Sequence, residues 1–201
     1  SLAREMASDG EGARHLITCT VSGAKSEESA ETVAKSVISS TLTKAAVFGA
    51  AADYAYETYG LTPVFLPIER RLDVGAAQLA AQHMKAPHYI LPQTGRSDHT
   101  IGLFARMQAV VSMRLHALVF SAGQGVPLVG VVYDQKISSF LSYIGQDLYT
   151  GLDEVTEEAL RAHIDAACAR IGDEAFLSGG VERLRQVERR NSETARMLLE
   201  R

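Results

Sequence analysis

Five short apolar runs, each followed by a stretch with helical spacing, constrain this chain more than any other feature. They fall at residues 16–21, 63–67, 88–91, 109–112 and 127–133. Pro127-Leu-Val-Gly-Val-Val-Tyr133 is uncharged and rich in β-branched side chains, the pattern of a buried strand. Strand and helix alternating in this way require a parallel sheet with right-handed crossovers. The expected fold is therefore α/β: a Rossmann-like parallel sheet with helices on both faces.

The helical stretches carry their own start and stop signals. Ser26 suits an N-cap, with Glu27 and Glu28 in the first turn where negative charge complements the helix dipole. Ala30, Val33, Ala34, Val37, Ile38 and Thr41 lie on one face. The periodicity runs on to Tyr59-Gly60, about 33 residues against a usual length of about 11–12, so a break is expected near residues 39–41 or at Gly49. Further helices are expected over 73–84, from 97 or 98 to 107, and over 114–124, 135–144, 156–171 and 181–201. Gly125, Gly145 and Ser178-Gly-Gly180 supply the stops.

Composition narrows the classes of function. The chain has 201 residues, enough for one well-buried domain, and no linker or repeat divides it, so residues 1–201 read as a single domain. With 24 acids against 20 bases the net charge is −4, which gives no pointer to nucleic acid or an anionic membrane. A hydrophobic fraction of 46% excludes a disordered chain. Cys19 and Cys168 stand far apart with no Cys-x-x-Cys partner, which fits a reducing cytosol and gives no support to a metal site. No apolar run reaches the roughly 18 residues of a membrane helix, and residues 1–6 lack the pattern of a secretory signal. The sequence begins at Ser1 without an initiator Met and reads as a piece of something longer.

In an open parallel sheet, ligands bind beyond the carboxyl ends of the strands. Val110-Val-Ser-Met-Arg-Leu-His-Ala-Leu118 passes almost directly from strand to helix at that edge. The free amides near Leu115 and His116 would favour an anion there. Arg114 adds a planar fork for carboxylate or phosphate, and His116 a group able to exchange a proton near neutral pH. The same residues also fit a surface ion pair for Arg114 and a packed ring for His116. In the next strand-end loop, Asp134 fits an N-cap, a partner for His116 or a ligand to a sugar hydroxyl. Lys136 fits either a charge over the crevice or a solvated side chain, and Tyr133 either a stacking platform or the closure of the sheet edge. Upstream, Asp73 reads as a helix cap within the charged run Glu69, Arg70, Arg71 and Asp73. No Gly-rich phosphate loop, nucleophile elbow or metal-ligand pair of histidines is present in the sequence.

Val111-Ser-Met-Arg-Leu-His-Ala-Leu-Val-Phe120 followed by Gly125-Val-Pro-Leu-Val-Gly-Val-Val-Tyr-Asp134, then Lys136 and Phe140-Leu141, resembles the polysaccharide pyruvyl transferase family. Tyr59-Gly-Leu-Thr-Pro-Val-Phe-Leu-Pro67 and Asp73 extend the likeness, which covers roughly residues 61–145. The resemblance implies the C-terminal lobe of a longer, two-lobed enzyme of the GT-B type. It also implies transfer of a pyruvyl group from phosphoenolpyruvate to a sugar of a cell-surface glycan, forming a ketal. On that reading Arg114, Leu115 and His116 bind the donor, His116 supplies the proton, and Asp134 and Lys136 border the substrate. No cofactor is implied beyond phosphoenolpyruvate as donor substrate. The partners are a glycan or lipid-linked acceptor and either the missing N-terminal lobe or a second copy of the chain. The location is cytoplasmic, with the inner face of the membrane as a further option. Two alternatives stand beside it, a nucleotide-sugar glycosyltransferase lobe and a non-catalytic anion- or glycan-binding lobe.

The last helix supports the expectation of a missing lobe. Val181, Leu184, Val187 and Leu198 form a thin stripe among six Arg and four Glu between Val181 and Arg201. Such a stripe is expected either to pack on a second copy or to be left exposed.

Overall fold

The computed structural model describes residues 21–38, 41–92 and 95–200. The expected strand at 16–21 lies outside the described residues except for Val21. Eight helices and five strands alternate through the described part, and every strand pair is parallel.

Helix α1 (Glu27–Ile38) opens as expected, with Glu27 and Glu28 in its first turn. The Ser29 amide donates to Ser26 Oγ at 3.2 Å and the Ser26 amide to Ser29 Oγ at 3.1 Å, a reciprocal cap. Helix α2 (Thr41–Tyr59) begins after residues 39–40, which are not described. Gly49 lies inside α2 and breaks nothing, because it marks a close crossing. A Cβ there would stand 2.8 Å from the Ala80 carbonyl oxygen of α3 (Arg70–Gln82). Asp53 of α2 fixes the end of that crossing by accepting the backbone amides of Lys85 and Ala86, at 2.9 Å for Ala86.

The single sheet expected from the sequence is two in the structure. Strands β1 (Val64–Phe65) and β2 (Tyr89–Ile90) form one, with Val64 opposite Tyr89. Strands β3 (Val110–Ser112), β4 (Leu128–Val132) and β5 (Tyr149–Gly151) form the other in the order β3-β4-β5. The two are joined by side-chain packing: Leu66 and Ile68, just beyond β1, rest on a cluster of Phe104, Val110, Ala117 and Val126. The sequence reading did not include β5.

Strand β4 is the centre, covered on both faces as expected. Leu128 packs with Leu118 of α5 (Leu115–Gly123) and with Ile137 and Leu141 of α6 (Gln135–Tyr143). Val131 faces the other way, onto Val47 and Ala51 of α2 and Leu160 and Ile164 of α7 (Glu157–Ala169). Gly130 permits this close approach, since a Cβ there would collide with Leu141 Cδ1. Gly125 and Gly145 have φ of 65° and 73°, the left-handed conformation that lets α5 and α6 stop.

Helix α4 (Ser97–Phe104) ends three residues before the expected Met107. Helix α8 (Glu174–Leu199) runs unbroken through Ser178-Gly-Gly180, where the sequence suggested a separation. Leu184 of α8 packs on the β4–α5–α6 cluster, while Val187 and Leu198 are exposed. Part of the stripe is therefore open to solvent, one of the two outcomes expected. No helix among the described residues is long and apolar enough to cross a membrane.

Candidate functional site

The carboxyl ends of β1, β2 and β3 frame a cavity of about 350 Å³. Leu66, Pro67 and Ile68 form one wall, Arg96, Ser97 and Thr100 at the start of α4 the second, and His116 and Phe120 of α5 the third. The lining mixes apolar residues (Leu66, Pro67, Ile68, Phe120) with polar ones (Arg96, Ser97, Thr100, His116), a mixture that suits a small amphipathic ligand. Phe120 is held by two rings, with centroids 6.1 Å away in Phe104 and 6.4 Å in His116.

His116 reaches this cavity because β3 passes into α5 with only two residues between. Its ring is exposed rather than packed away beneath a loop, so it meets solvent and any ligand in the cavity. Arg114 is the N-cap of α5, in extended conformation (φ −94°, ψ 119°), with no capping bond from its side chain. An arginine has no acceptor and cannot cap, so α5 starts without a side-chain cap. The Arg114 amide itself donates to Ser112 Oγ at 3.0 Å.

The Arg114 side chain does not stand free. Its Nε and Nη2 both donate to Oδ1 of Asp73, at 3.0 and 2.5 Å, with exposures of 25% and 20% for the two side chains. The bond to Asp73 raises the guanidinium pKa, partial burial opposes this, and the charge of Asp73 and nearby Tyr133 add to the rise. Asp73 lies within α3 and is not its N-cap. Its Oδ2 reaches back to accept the amides of Ile68 (3.0 Å) and Glu69 (2.8 Å) at the helix start.

Asp134 and Lys136 take the plainer of their alternatives. Asp134 caps α6 by accepting the Lys136 amide at 2.9 Å, and its carboxylate pairs with Lys136 Nζ at 3.3 Å. The capping bond, followed by the ammonium, holds the Asp134 carboxyl below the usual range, and Asp134 in turn raises the ammonium. Lys136 Nζ also sits 5.5 Å from the centre of the Tyr133 ring. These residues lie at the end of β4 and do not line the cavity, and Asp134 accepts no hydrogen bond from His116. Sequence reasoning missed Arg96, Ser97, Thr100 and Phe120, although a Ser-Asp pair opening a helix at a strand end was a usable signal.

A second polar group lies on the far face of the sheet, between α2 and α7. The hydroxyls of Tyr54 and Tyr59 both donate to Asp165 Oδ1, at 2.8 and 2.7 Å. The Tyr59 phenol is pushed up to about 12, chiefly by that bond. Arg161 pairs with Glu157 and lies 4.8 Å from the Tyr54 ring centre. Burial, with Asp165 nearby, raises the Cys168 thiol.

Comparison with known proteins gives a direct result for the N-terminal third. A family model for the ArgJ family matches residues 1–64. That stretch is similar to the ArgJ family. An arginine biosynthesis bifunctional protein ArgJ, chloroplastic, from Physcomitrium patens is 58% identical over 48 residues, 24% of this chain and 9% of the relative. The Staphylococcus epidermidis ArgJ protein is 44% identical over 78 residues, 34% of this chain and 20% of the relative. The ArgJ protein of Zymomonas mobilis is 36% identical over 91 residues, 44% of this chain and 22% of the relative. The chain thus spans less than a quarter of the length of these relatives.

This similarity overturns the pyruvyl transferase expectation. Phosphoenolpyruvate as donor, a glycan or lipid-linked acceptor, a missing lobe or second copy as partner, and a role in cell-surface polysaccharide are all corrected by it. The glycosyltransferase and the anion- or glycan-binding alternatives fall with them. The physical reason is the generality of the motif that carried the resemblance. An Arg-Leu-His at a strand-to-helix junction produces an anion-facing edge in many α/β proteins, whatever their reaction. The resemblance rested on residues 61–145, whereas the family match lies over 1–64.

Proposed function

We propose that this chain is part of an arginine-biosynthesis enzyme that transfers an acetyl group between amino acids, with acetylated ornithine- and glutamate-type compounds as substrates. The observation that supports this reading is the ArgJ match over residues 1–64. The fold adds to it, because α2 carries the last part of the matched stretch into the core, where Val47 and Ala51 meet Val131 of β4. The matched residues are thereby packed on the central strand of the β3-β4-β5 sheet.

In this reading the cavity at the strand ends receives the substrate. Arg114 uses two of its five donors on Asp73, which leaves donors for a substrate carboxylate beside the Leu115 and His116 amides. Acetyl transfer breaks one carbon–nitrogen bond and forms another, so a proton must leave the incoming amine and reach the departing one. His116 is placed to carry it. Asp134 and Lys136, paired with each other beyond β4, take no part in this reading.

The test is acetyl transfer from N-acetylornithine to glutamate by the purified chain, followed by mass spectrometry. The expected result is acetylglutamate formation that falls by about 10²–10⁴ in His116→Gln. No transfer, together with no rescue of a bacterial arginine auxotroph lacking this step, refutes the reading.

A further inference from the structure

One carboxylate bonds both to a wall of the cavity and to the residue that precedes the helix carrying another wall. Asp73 Oδ2 holds the amides of Ile68 and Glu69, and Ile68 belongs to the wall formed by the loop after β1. Asp73 Oδ1 holds Nε and Nη2 of Arg114, the residue at which α5 begins. Helix α5 carries His116 and Phe120, the opposite wall. The two walls belong to different sheets, and no strand pairing joins β1 to β3 among the described residues. We propose that Asp73 is the positioning residue of the crevice, a strap that sets the separation of its walls and the direction of the Arg114 fork.

The chemistry favours this role over that of an ordinary surface ion pair. An exposed pair contributes little because water screens it and both side chains wander. Here one end is fixed, since two backbone amides hold the carboxylate at the start of α3 before Arg114 is engaged. The guanidinium therefore meets a stationary acceptor, and two donors on one oxygen set its plane. Its remaining donors are directed by Asp73 although Asp73 itself touches no ligand. Both side chains are largely shielded, so water replaces the bond poorly when it is lost.

This inference uses the reading of the cavity as a substrate site, and its test separates the two. In the ¹⁵N-labelled full chain, the Arg114 Nε–H should exchange with water far more slowly than that of free arginine. Asp73→Ala should release it and, in the same variant, deprotect the Ile68 and Glu69 amides. Arg114→Gln should leave those two amides protected. In the acetyl-transfer assay, Asp73→Asn should raise KM for the acetylated amino acid on the order of tenfold while kcat changes much less. Asp73→Glu should recover part of the loss. A merely structural role would lower kcat through a smaller active fraction and leave KM unmoved. An Arg114 Nε–H that exchanges at the free rate in the wild-type protein overturns the proposal without any variant having to fold. If the chain shows no acetyl transfer, the substrate reading fails and the exchange measurement alone decides on Asp73.

Discussion

Replacing Gly49 by Ala tests how α2 is seated, and the structure sets the sign of the effect. In an open helix Gly→Ala gains about 1 kcal/mol, because Ala loses less backbone entropy on folding. At Gly49 the new Cβ would stand 2.8 Å from the Ala80 carbonyl oxygen and 3.4 Å from both His83 Cβ and Met84 Cγ. The nearest atom is backbone, so no rotamer change relieves the clash and α2 and α3 must part. Overpacking of this kind costs about 1–3 kcal/mol. The sum is a net loss of about 1 kcal/mol, or about 2–4 °C in Tm for a chain of this size. Gly75 in α3 is the control, since a Cβ there meets nothing within 4 Å. Gly75→Ala should therefore stabilise by about 0.4–1 kcal/mol. Urea melts of both variants, read by circular dichroism, make the comparison. Gly49→Ala equal to or more stable than wild type would refute the close crossing. Gly49 lies within the ArgJ-like residues and Ala80 outside them, so the variant probes one contact between the matched segment and the rest of the fold.

Three further outcomes follow from the same contacts. Leu141 is fully buried against β4, and Leu141→Ala should cost about 2–5 kcal/mol in a denaturant melt; a loss under about 1 kcal/mol would show that α6 is not packed there. Tyr59 keeps its proton longer in the folded than in the unfolded chain, so its contribution to stability is complete below pH 10 and is lost as pH rises towards about 12. Tyr59→Phe should flatten that alkaline decline, and spectrophotometric titration should find one late-ionising tyrosine fewer than in the wild-type protein, with Tyr54 still raised by its bond to Asp165. Arg161→Ala removes the cation paired with the largely buried Glu157 and should cost about 3 kcal/mol, whereas a loss within error would mean that Glu157 is satisfied by other groups.

Much of the local architecture is legible in the residues alone. Ser26 and Asp134 each fit an N-cap by residue type, and each side-chain oxygen accepts a helix amide. The strand at β4 was legible because both its faces are covered, which demands an unbroken apolar run. Strand β5 was not, because Tyr149-Thr-Gly151 is three residues long, half exposed at the sheet edge and without an apolar signature. Of the two break points offered for the first long helical stretch, the helix bounds fit the one near residues 39–41 and not Gly49. Glycine misled at Gly179-Gly180, where it suggested a helix break, but a glycine inside a helix costs only about 1 kcal/mol, which packing readily offsets.

For the site, the sequence put Arg114 and His116 at the junction of β3 and α5 and could not say what each would face. It left Arg114 open between an anion fork and an ion pair, and the structure supplied the partner, Asp73, from 41 residues away. The resemblance carried by residues 61–145 also overreached. It reproduced the local chemistry of a strand-end crevice, and the reaction it implied was corrected by the similarity of residues 1–64 to ArgJ.

The sequence by itself determined strands β1 to β4 and most of the helices between and after them, because these depend on interactions within a turn or two of chain. Only the tertiary structure decided that the strands divide into a pair and a triplet, that α2 crosses α3 at Gly49, and that Asp73 closes on Arg114. Those outcomes depend on contacts between segments far apart in sequence, where many pairings are chemically permissible and the packing of one core selects among them.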